Sequence, residues 1–440
     1  MGYRAAVVTA VLAALAGGAV LGSSQDSPKE KLKAALKDND PVGEWFYDDF
    51  PGALSQARKS GKPLLVVLRC VPTWLCREID RPVARRETPG MADLLNRFVC
   101  VRLVQAYGLD LNLFQFDPDL VWAVFFMNAD KAIYGRYGTR GRGKDPHKDV
   151  SLEGFKKAAE GALELHQAYP ANRKDLEGKT GPEPEWRIPQ IMPDLKGKEE
   201  NQPADGKSCL RCHHLHEGEL WSLRSKKHPV PERMLWPYPM PEAVGLLLDP
   251  KERATVTAVA PGSAAEKAGF KEGDRILRLE GQPLLSVADV QWVLHQAGEK
   301  AKLRAEVDRG GGKEELTLVL APGWRQKSDP GWRATFRNLR LRLAGPDAFE
   351  EVPLDVRREQ GLPPTGMALR VKSVTTGGSQ ARNTSFSWKK NDVVIAVDGR
   401  NDLDTEVEFL AHLLRKTPGQ KASLTVLREG KALGGTLIVP

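Results

Sequence analysis

The spacing of apolar positions changes repeatedly along the chain, and each change predicts a different element. Ser27 to Lys37 is a polar helical leader. Phe50 to Ser60 carries helical spacing and is stopped by Gly61. The unbroken apolar run PLLVVLR, Pro63 to Arg69, predicts a strand buried on both faces. A helical stretch from Thr73 to Arg97 follows, with a break at Pro89–Gly90. Phe98 to Val104, Val121 to Met127 and Ala132 to Tyr137 read as three further strands, the last two joined by the turn Asn128–Ala129–Asp130. Ser151 to His166 closes the region with a helix that Ser151 caps. The order is β-α-β-β-β-α.

Beyond Ala171 the pattern breaks. Asn172 to Gly206 is rich in lysine, glutamate, glycine and proline and reads as a linker or loosely ordered insertion. Regular patterning returns with VGLLLD, Val244 to Asp249, a short apolar strand led by a glycine. A helix, SVADVQWVLHQA, and two strands, LRAEVDR and ELTLVLA, come next. The same pattern recurs 118 residues later: Gly273 to Gly281 aligns with Asn391 to Gly399, Phe270 with Trp388, Val256 with Val374, and the helix Val287 to Gln296 with Thr405 to Leu414. A repeat at one fixed offset predicts a second domain of the same kind. Gly273 and Gly281 stand where tight turns are needed, and Asn391 is the next best residue for a positive φ. Between the copies, ATFRNLRLRL reads as a strand-like piece of a connector. The predicted divisions are residues 41–170, a linker 171–241, a first repeat unit 242–322, a connector 323–362 and a second unit 363–440.

The N-terminus adds a compartment. Met1 to Arg4 is a short positive region, and Ala5 to Leu21 is apolar and uncharged. This reads as a signal peptide over residues 1–24, so the protein is expected to be periplasmic or secreted. It would touch a membrane if that segment stays uncleaved as an anchor. No later run of ~18 apolar residues occurs. Lysine and arginine number 65 against 57 acidic residues in 440, a formal net charge of +8. The excess is dispersed without a basic run, which argues against a nucleic-acid partner.

Two resemblances follow from these runs. GKPLLVVLRC and FFMNADKAIYGRYG resemble the thioredoxin fold over about 110 residues. That family places C-x-x-C at the start of the helix after this strand, where the helix N-terminus favours a thiolate. Here the run is Cys70-Val-Pro-Thr-Trp-Leu-Cys76, with Thr73 in place of the second cysteine. Cys70 and Cys76 are the catalytic candidates for dithiol chemistry. The family also needs a cis-proline before its third strand, and Pro118 is the candidate. Cys100, inside a strand, reads as an inert core thiol.

APGSAAEKAGFKEGDRILRLEGQ resembles a bacterial PDZ domain, the most specific likeness in the chain. The resemblance implies an extended peptide, usually a C-terminus, added as a strand. Val244, Gly245, Leu246 and Leu247 would form the carboxylate loop, and Leu246, Leu248, Val287, Val290 and Leu294 the groove. In the second copy the loop falls near Gly366-Met367-Ala368-Leu369. The fold class is thus multidomain: a thioredoxin-like α/β domain followed by two PDZ-like, mainly β domains.

A third motif is chemical. GKSCLRCHHLHEG, Gly206 to Gly218, holds C-x-x-C-H, the attachment signature of c-type haem. Cys209 and Cys212 would form thioethers and His213 would ligate iron, with Met234, Met240, His228 or a distant histidine as sixth ligand. Zinc held by Cys209, Cys212 and two of His213, His214 and His216 is the alternative, and a short disulfide is a third. Any haem pocket must be borrowed from neighbouring domains. No G-x-S-x-G or H-E-x-x-H occurs, so no complete catalytic motif is present. The sequence therefore predicts an exported peptide-binding scaffold. The alternative is an oxidoreductase, working through thiol–disulfide exchange or as a haem electron carrier.

Overall fold

The computed structural model describes residues 27–140, 149–196, 210–228, 230–374 and 383–440. The predicted signal segment and Cys209 lie outside them.

The first domain is built on a five-stranded sheet in the order β1-β3-β2-β4-β5. Its strands are β1 (Phe46–Tyr47), β2 (Leu64–Arg69), β3 (Val99–Leu103), β4 (Trp122–Met127) and β5 (Ile133–Tyr137). β2 pairs parallel with β3 and antiparallel with β4. Side chains alternate across the sheet. Leu64, Val66 and Leu68 enter one core and Leu65 and Val67 the other. The second face is covered by α3 (Arg77–Arg85), α4 (Met91–Leu95) and α5 (Leu152–Gln167). The first carries α2 (Phe50–Ser60), while α1 (Pro28–Leu36), with Ser27 in a capping box, packs Leu32 beside Val104. The predicted helix 73–97 is two helices, because Arg86 and Gly90 take positive φ between them. Pro118, the candidate cis-proline, is trans; among the described residues the cis peptide is Tyr169–Pro170.

The predicted linker is part of the core. Where described, it forms α6 (Arg173–Leu176) and then buries Trp186, Met192 and Leu195 against the α2 face of the sheet. A run of charged residues hid these widely spaced apolar anchors. Leu210, Cys212 and Leu215, at the start of α7 (His213–Ser225), complete the same core, and α8 (Glu232–Leu235) follows. The Leu210 carbonyl accepts from Ala106 N at 2.7 Å.

The first repeat unit contains β6 (Leu246–Leu248), β7 (Val256–Val259), α9 (Ala264–Ala268), β8 (Arg275–Leu279), β9 (Gln282–Pro283), α10 (Val287–Gln296), β10 (Ala301–Arg309) and β11 (Gly312–Leu320). Its main sheet runs β11-β10-β8-β9, with β6 and β7 as a separate antiparallel pair. The second contains β12 (Ala348–Glu351), α12 (Leu354–Glu359), β13 (Leu369–Ser373), β14 (Val393–Val397), α13 (Glu406–Arg415), β15 (Lys421–Arg428) and β16 (Lys431–Ile438), in one sheet β12-β13-β14-β15-β16.

One clasp is common to the two units. Arg309 grips Asp274 through Nε at 2.7 Å and Nη2 at 2.8 Å, and its Nη2 also reaches Gly269 O. Arg428 repeats this on Asp392, at 2.8 Å from both nitrogens, and reaches Ser387 O. Lys271 N and Lys389 N donate to the two aspartates at 2.8 Å. The turn residues also match: Gly273 and Asn391 have φ of 89° and 71°.

The repeat is not gapless. Val256 donates through its N–H to Asp274 O and accepts at its carbonyl from Gly273 N; the residue that does both with Asp392 and Asn391 is Val371, not Val374. Upstream the units drift further apart. Leu248 pairs with Val256, and Phe349 pairs with Val371. In this register Phe349 stands where Leu248 does, and Gly345, with φ of 101° against 91° for Gly245, lies one residue upstream of the position that matches Gly245. Gly366 to Leu369 instead leads into β13, with Met367 buried and its N–H on Asn401 O. The connector thus supplies β12 to the second sheet. ATFRNLRLRL is a helix, α11 (Ala334–Leu343), not a strand. Its leucines at 339, 341 and 343 alternate, but Phe336, Leu339 and Leu343 form the helical stripe that is buried.

Candidate functional site

The β6 edge is built by a turn and a close approach. Pro241–Val244 forms a 3-10 turn that ends at Gly245. A Cβ on Gly245 would fall 2.1 Å from Ser263 Cβ, so only glycine fits here, on steric as well as φ grounds. Gly245 O accepts from Ala260 N, and Asp249 N donates to Thr255 O, both at 2.9 Å. Antiparallel pairing alternates, so Leu246 and Leu248 direct their N–H and C=O groups away from β7. Among the described residues no strand pairs on that side of β6. Leu246 is buried, Leu247 is 40 % exposed and Leu248 lies between.

The opposite wall, α10, starts at Ser286, whose hydroxyl accepts from Ala288 N at 3.0 Å. Val287, Val290 and Leu294 are all buried, the latter two in one cluster with Leu246. The outer face of α10 is fastened to the first domain. Asp289 accepts from Leu285 N at 2.9 Å and Arg136 N at 3.2 Å, and pairs with Lys179 Nζ at 2.9 Å. Both side chains of that pair are fully buried. Trp292 Nε1 donates to Gly178 O at 2.9 Å, and Arg136 stacks on its ring at 4.0 Å. Thr139 Oγ1 donates to Gln291. Sequence reading missed this anchoring; the signal was a lone aspartate in the otherwise uncharged helical run VADVQWVL.

Cys70 and Cys76 flank the turn between β2 and α3. Both are free thiols, and Cys76 occupies the N-cap of α3 with φ of 60°. Burial pushes both thiols up, against the lowering pull of Arg211 and Arg69 on Cys70 and of Arg69 and Arg140 on Cys76. The helix terminus does not yield an activated thiolate. Arg69 is committed beneath the turn, bonding Asp80 at 2.9 Å, Cys70 O at 2.9 Å and Thr73 O at 2.7 Å. Cys100 is buried as expected, with its thiol pushed up to about 12 by burial.

Of the C-x-x-C-H motif, Cys212 and His213 lie among the described residues. Cys212 is buried in the same apolar core as Leu68, Leu103 and Leu120, and burial pushes its thiol up to about 12. His213 sits against α11, where Thr335 Oγ1 donates to its carbonyl at 3.4 Å. Met240 sulfur is taken up by Thr139 and Gln291 on another side of the molecule. His216 Nε2 donates to Met234 O at 2.9 Å, and Nδ1 faces Asp119 at 3.5 Å. Among the described residues no three histidine, cysteine or acidic side chains are grouped to hold a metal.

Comparison with known proteins supports a thioredoxin-like domain and a PDZ domain in this chain. Residues 45–129 match a thioredoxin-like family model and residues 255–307 a PDZ domain model. A periplasmic serine endoprotease DegP-like protein of Marinomonas sp. is 28 % identical over 184 residues, 42 % of this chain and 36 % of the relative. The regulator of sigma-E protease RseP of Escherichia coli is 38 % identical over 74 residues, 16 % of this chain and 15 % of its own. The chain thus spans little more than a third of these curated relatives at most. Among solved structures, HtrA-type protease AlgW with tripeptide is 19 % identical, covering 30 % of this chain and 41 % of that one, with a TM-score of 0.20.

Proposed function

We propose that this protein is an exported peptide-binding scaffold whose first PDZ-like unit captures extended C-terminal segments along β6. The observation that carries the reading is the unpaired edge of β6, with the amides of Leu246 and Leu248 directed outward next to a positive-φ glycine loop. Strand addition there satisfies main-chain groups, and the half-exposed leucines supply apolar contact. Export is supported by the apolar N-terminal run and by relatives named as periplasmic. The second unit we read as PDZ-like also, with β12 and Gly345 in the roles of β6 and Gly245. The thioredoxin-like domain then acts as the support against which α10 is held, since its thiols are raised rather than activated.

The test uses fluorescent decapeptides ending in an apolar residue, either with a free carboxylate or amidated, titrated against the full chain. Leu248→Pro removes an outward N–H without costing a β6–β7 bond. It should weaken binding of the free-carboxylate peptide by about tenfold, the loss of one well-made hydrogen bond. Equal binding of the amidated peptide, or no effect of Leu248→Pro, would sink the proposal.

A further inference from the structure

A cavity of about 270 Å³ lies where the first domain, α7 and α10 meet. That is just under the ~300 Å³ at which small-molecule sites begin. Its walls are aromatic: Phe114 and Phe116 from the first domain, Trp186 from the segment once read as linker, and Tyr238 and Trp292 beside the first repeat unit.

Two polar groups open into it with unspent hydrogen-bonding capacity. Glu219, on α7, lines the cavity and has no hydrogen-bond partner among the described residues. Burial pushes its carboxyl up, the charges of His216 and Arg233 pull it down, and Glu185 adds to the rise. The second group is His295. Its Nδ1 accepts from Tyr238 N at 3.2 Å, and its ring stacks on Tyr238 at 4.0 Å. Burial holds this imidazole neutral, so the proton must reside on Nε2, which meets no acceptor among the described residues. Arg233, Glu183 and Gln296 also line the cavity, and three other polar groups near it are engaged. His216 is bonded to Met234 O, Gln115 to Pro182 O and Gly181 N, and Glu185 to Lys226.

A half-buried carboxylate without a donor is unfavourable, and a cation with N–H groups offsets that cost. Aromatic faces around it favour the same charge. The lone donor at His295 calls for an acceptor oxygen at the other end of the ligand. We propose that this cavity binds a small molecule with a primary amine and a hydroxyl or carbonyl oxygen on a flat apolar body, the amine meeting Glu219 and the oxygen His295.

Tyramine is the probe, with 4-ethylphenol lacking the amine and phenethylamine lacking the hydroxyl. Calorimetric titration of the full chain should rank tyramine tightest, with 4-ethylphenol about tenfold or more weaker, as loss of a charged hydrogen bond requires. Glu219→Gln should erase the preference for the amine, with an unchanged melting transition as the check on folding. Leu223→Trp, which fills the cavity from α7, should abolish binding of all three. Equal affinity for tyramine and 4-ethylphenol, an amine preference surviving Glu219→Gln, or no heat from any probe at millimolar concentration overturns the proposal.

Discussion

Asp289 is the most exposed to test of the contacts that join the two matched domains. It lies on α10, fully buried, and faces an equally buried Lys179 at 2.9 Å. Its carboxylate also accepts from Leu285 N and Arg136 N. Asp289→Ala strands an ammonium in a closed interior. Breaking one partner of a buried pair costs about 3–5 kcal/mol. Burial already depresses the Lys179 ammonium, so the stranded lysine can shed its proton. This sets the pH dependence. In the variant the folded state binds fewer protons than the unfolded state, so stability must rise with pH. The deficit against the parent protein is therefore largest at pH 6 to 7 and shrinks toward pH 10. Lys179→Met combined with Asp289→Leu should recover most of the loss, because a packed apolar pair replaces the charges. Urea unfolding followed by circular dichroism at pH 6.5 and 9.5 reads all of this, provided the denaturant slope is unchanged. A single-variant cost below about 1 kcal/mol, or a cost that does not move with pH, refutes the argument.

Further predictions concern the second unit, the thiols and the clasp. Burial opposes ionisation of Asp398, but Lys416 and His412, each at 2.8 Å, outweigh it and hold the carboxyl at about 2. A depressed carboxylate stabilises above its unfolded value near 3.8 and loses that contribution as pH falls toward 2. Asp398→Asn should therefore flatten the acid limb of stability by about 2 kcal/mol between pH 5 and 2, and parallel limbs for parent and variant would contradict it. Raised thiols at Cys70 and Cys76 predict slow alkylation by iodoacetamide at pH 7, quickening above pH 9; complete labelling of either within minutes at neutral pH, read by peptide mass, would disprove it. Arg428→Leu strips the buried Asp392 of two hydrogen bonds, and a melting temperature within error of the parent would count against the clasp.

Much of the first domain was legible because its signals are local. β2 and β4 are unbroken apolar runs, and Gly61 stops α2 where the sequence places it. The repeated core was also legible from Gly273 to Gly281, because positive-φ turns demand particular residues whatever surrounds them. The linker was misread for the opposite reason. Trp186, Met192 and Leu195 are too far apart to show a period, and only the exposed α2 face of the sheet gives them a place.

The site divides in the same way. Gly245 and the apolar VGLLLD strand could be identified in one dimension, because a turn and an alternating strand are written in adjacent residues. That β6 keeps a free edge, and that α10 is held by Lys179 and Arg136 from more than a hundred residues upstream, could not. The C-x-x-C-H motif shows the limit most plainly. Its spacing is a local fact, but the burial of Cys212 in an apolar core is not. The sequence by itself determined the elements, the turns and the existence of a repeat, all of which depend on neighbours within a few residues. The tertiary structure decided the first strand of the second unit, the helical state of Ala334–Leu343 and the surroundings of Cys70, Cys76, Cys100 and Cys212, since those depend on long-range burial and hydrogen bonds.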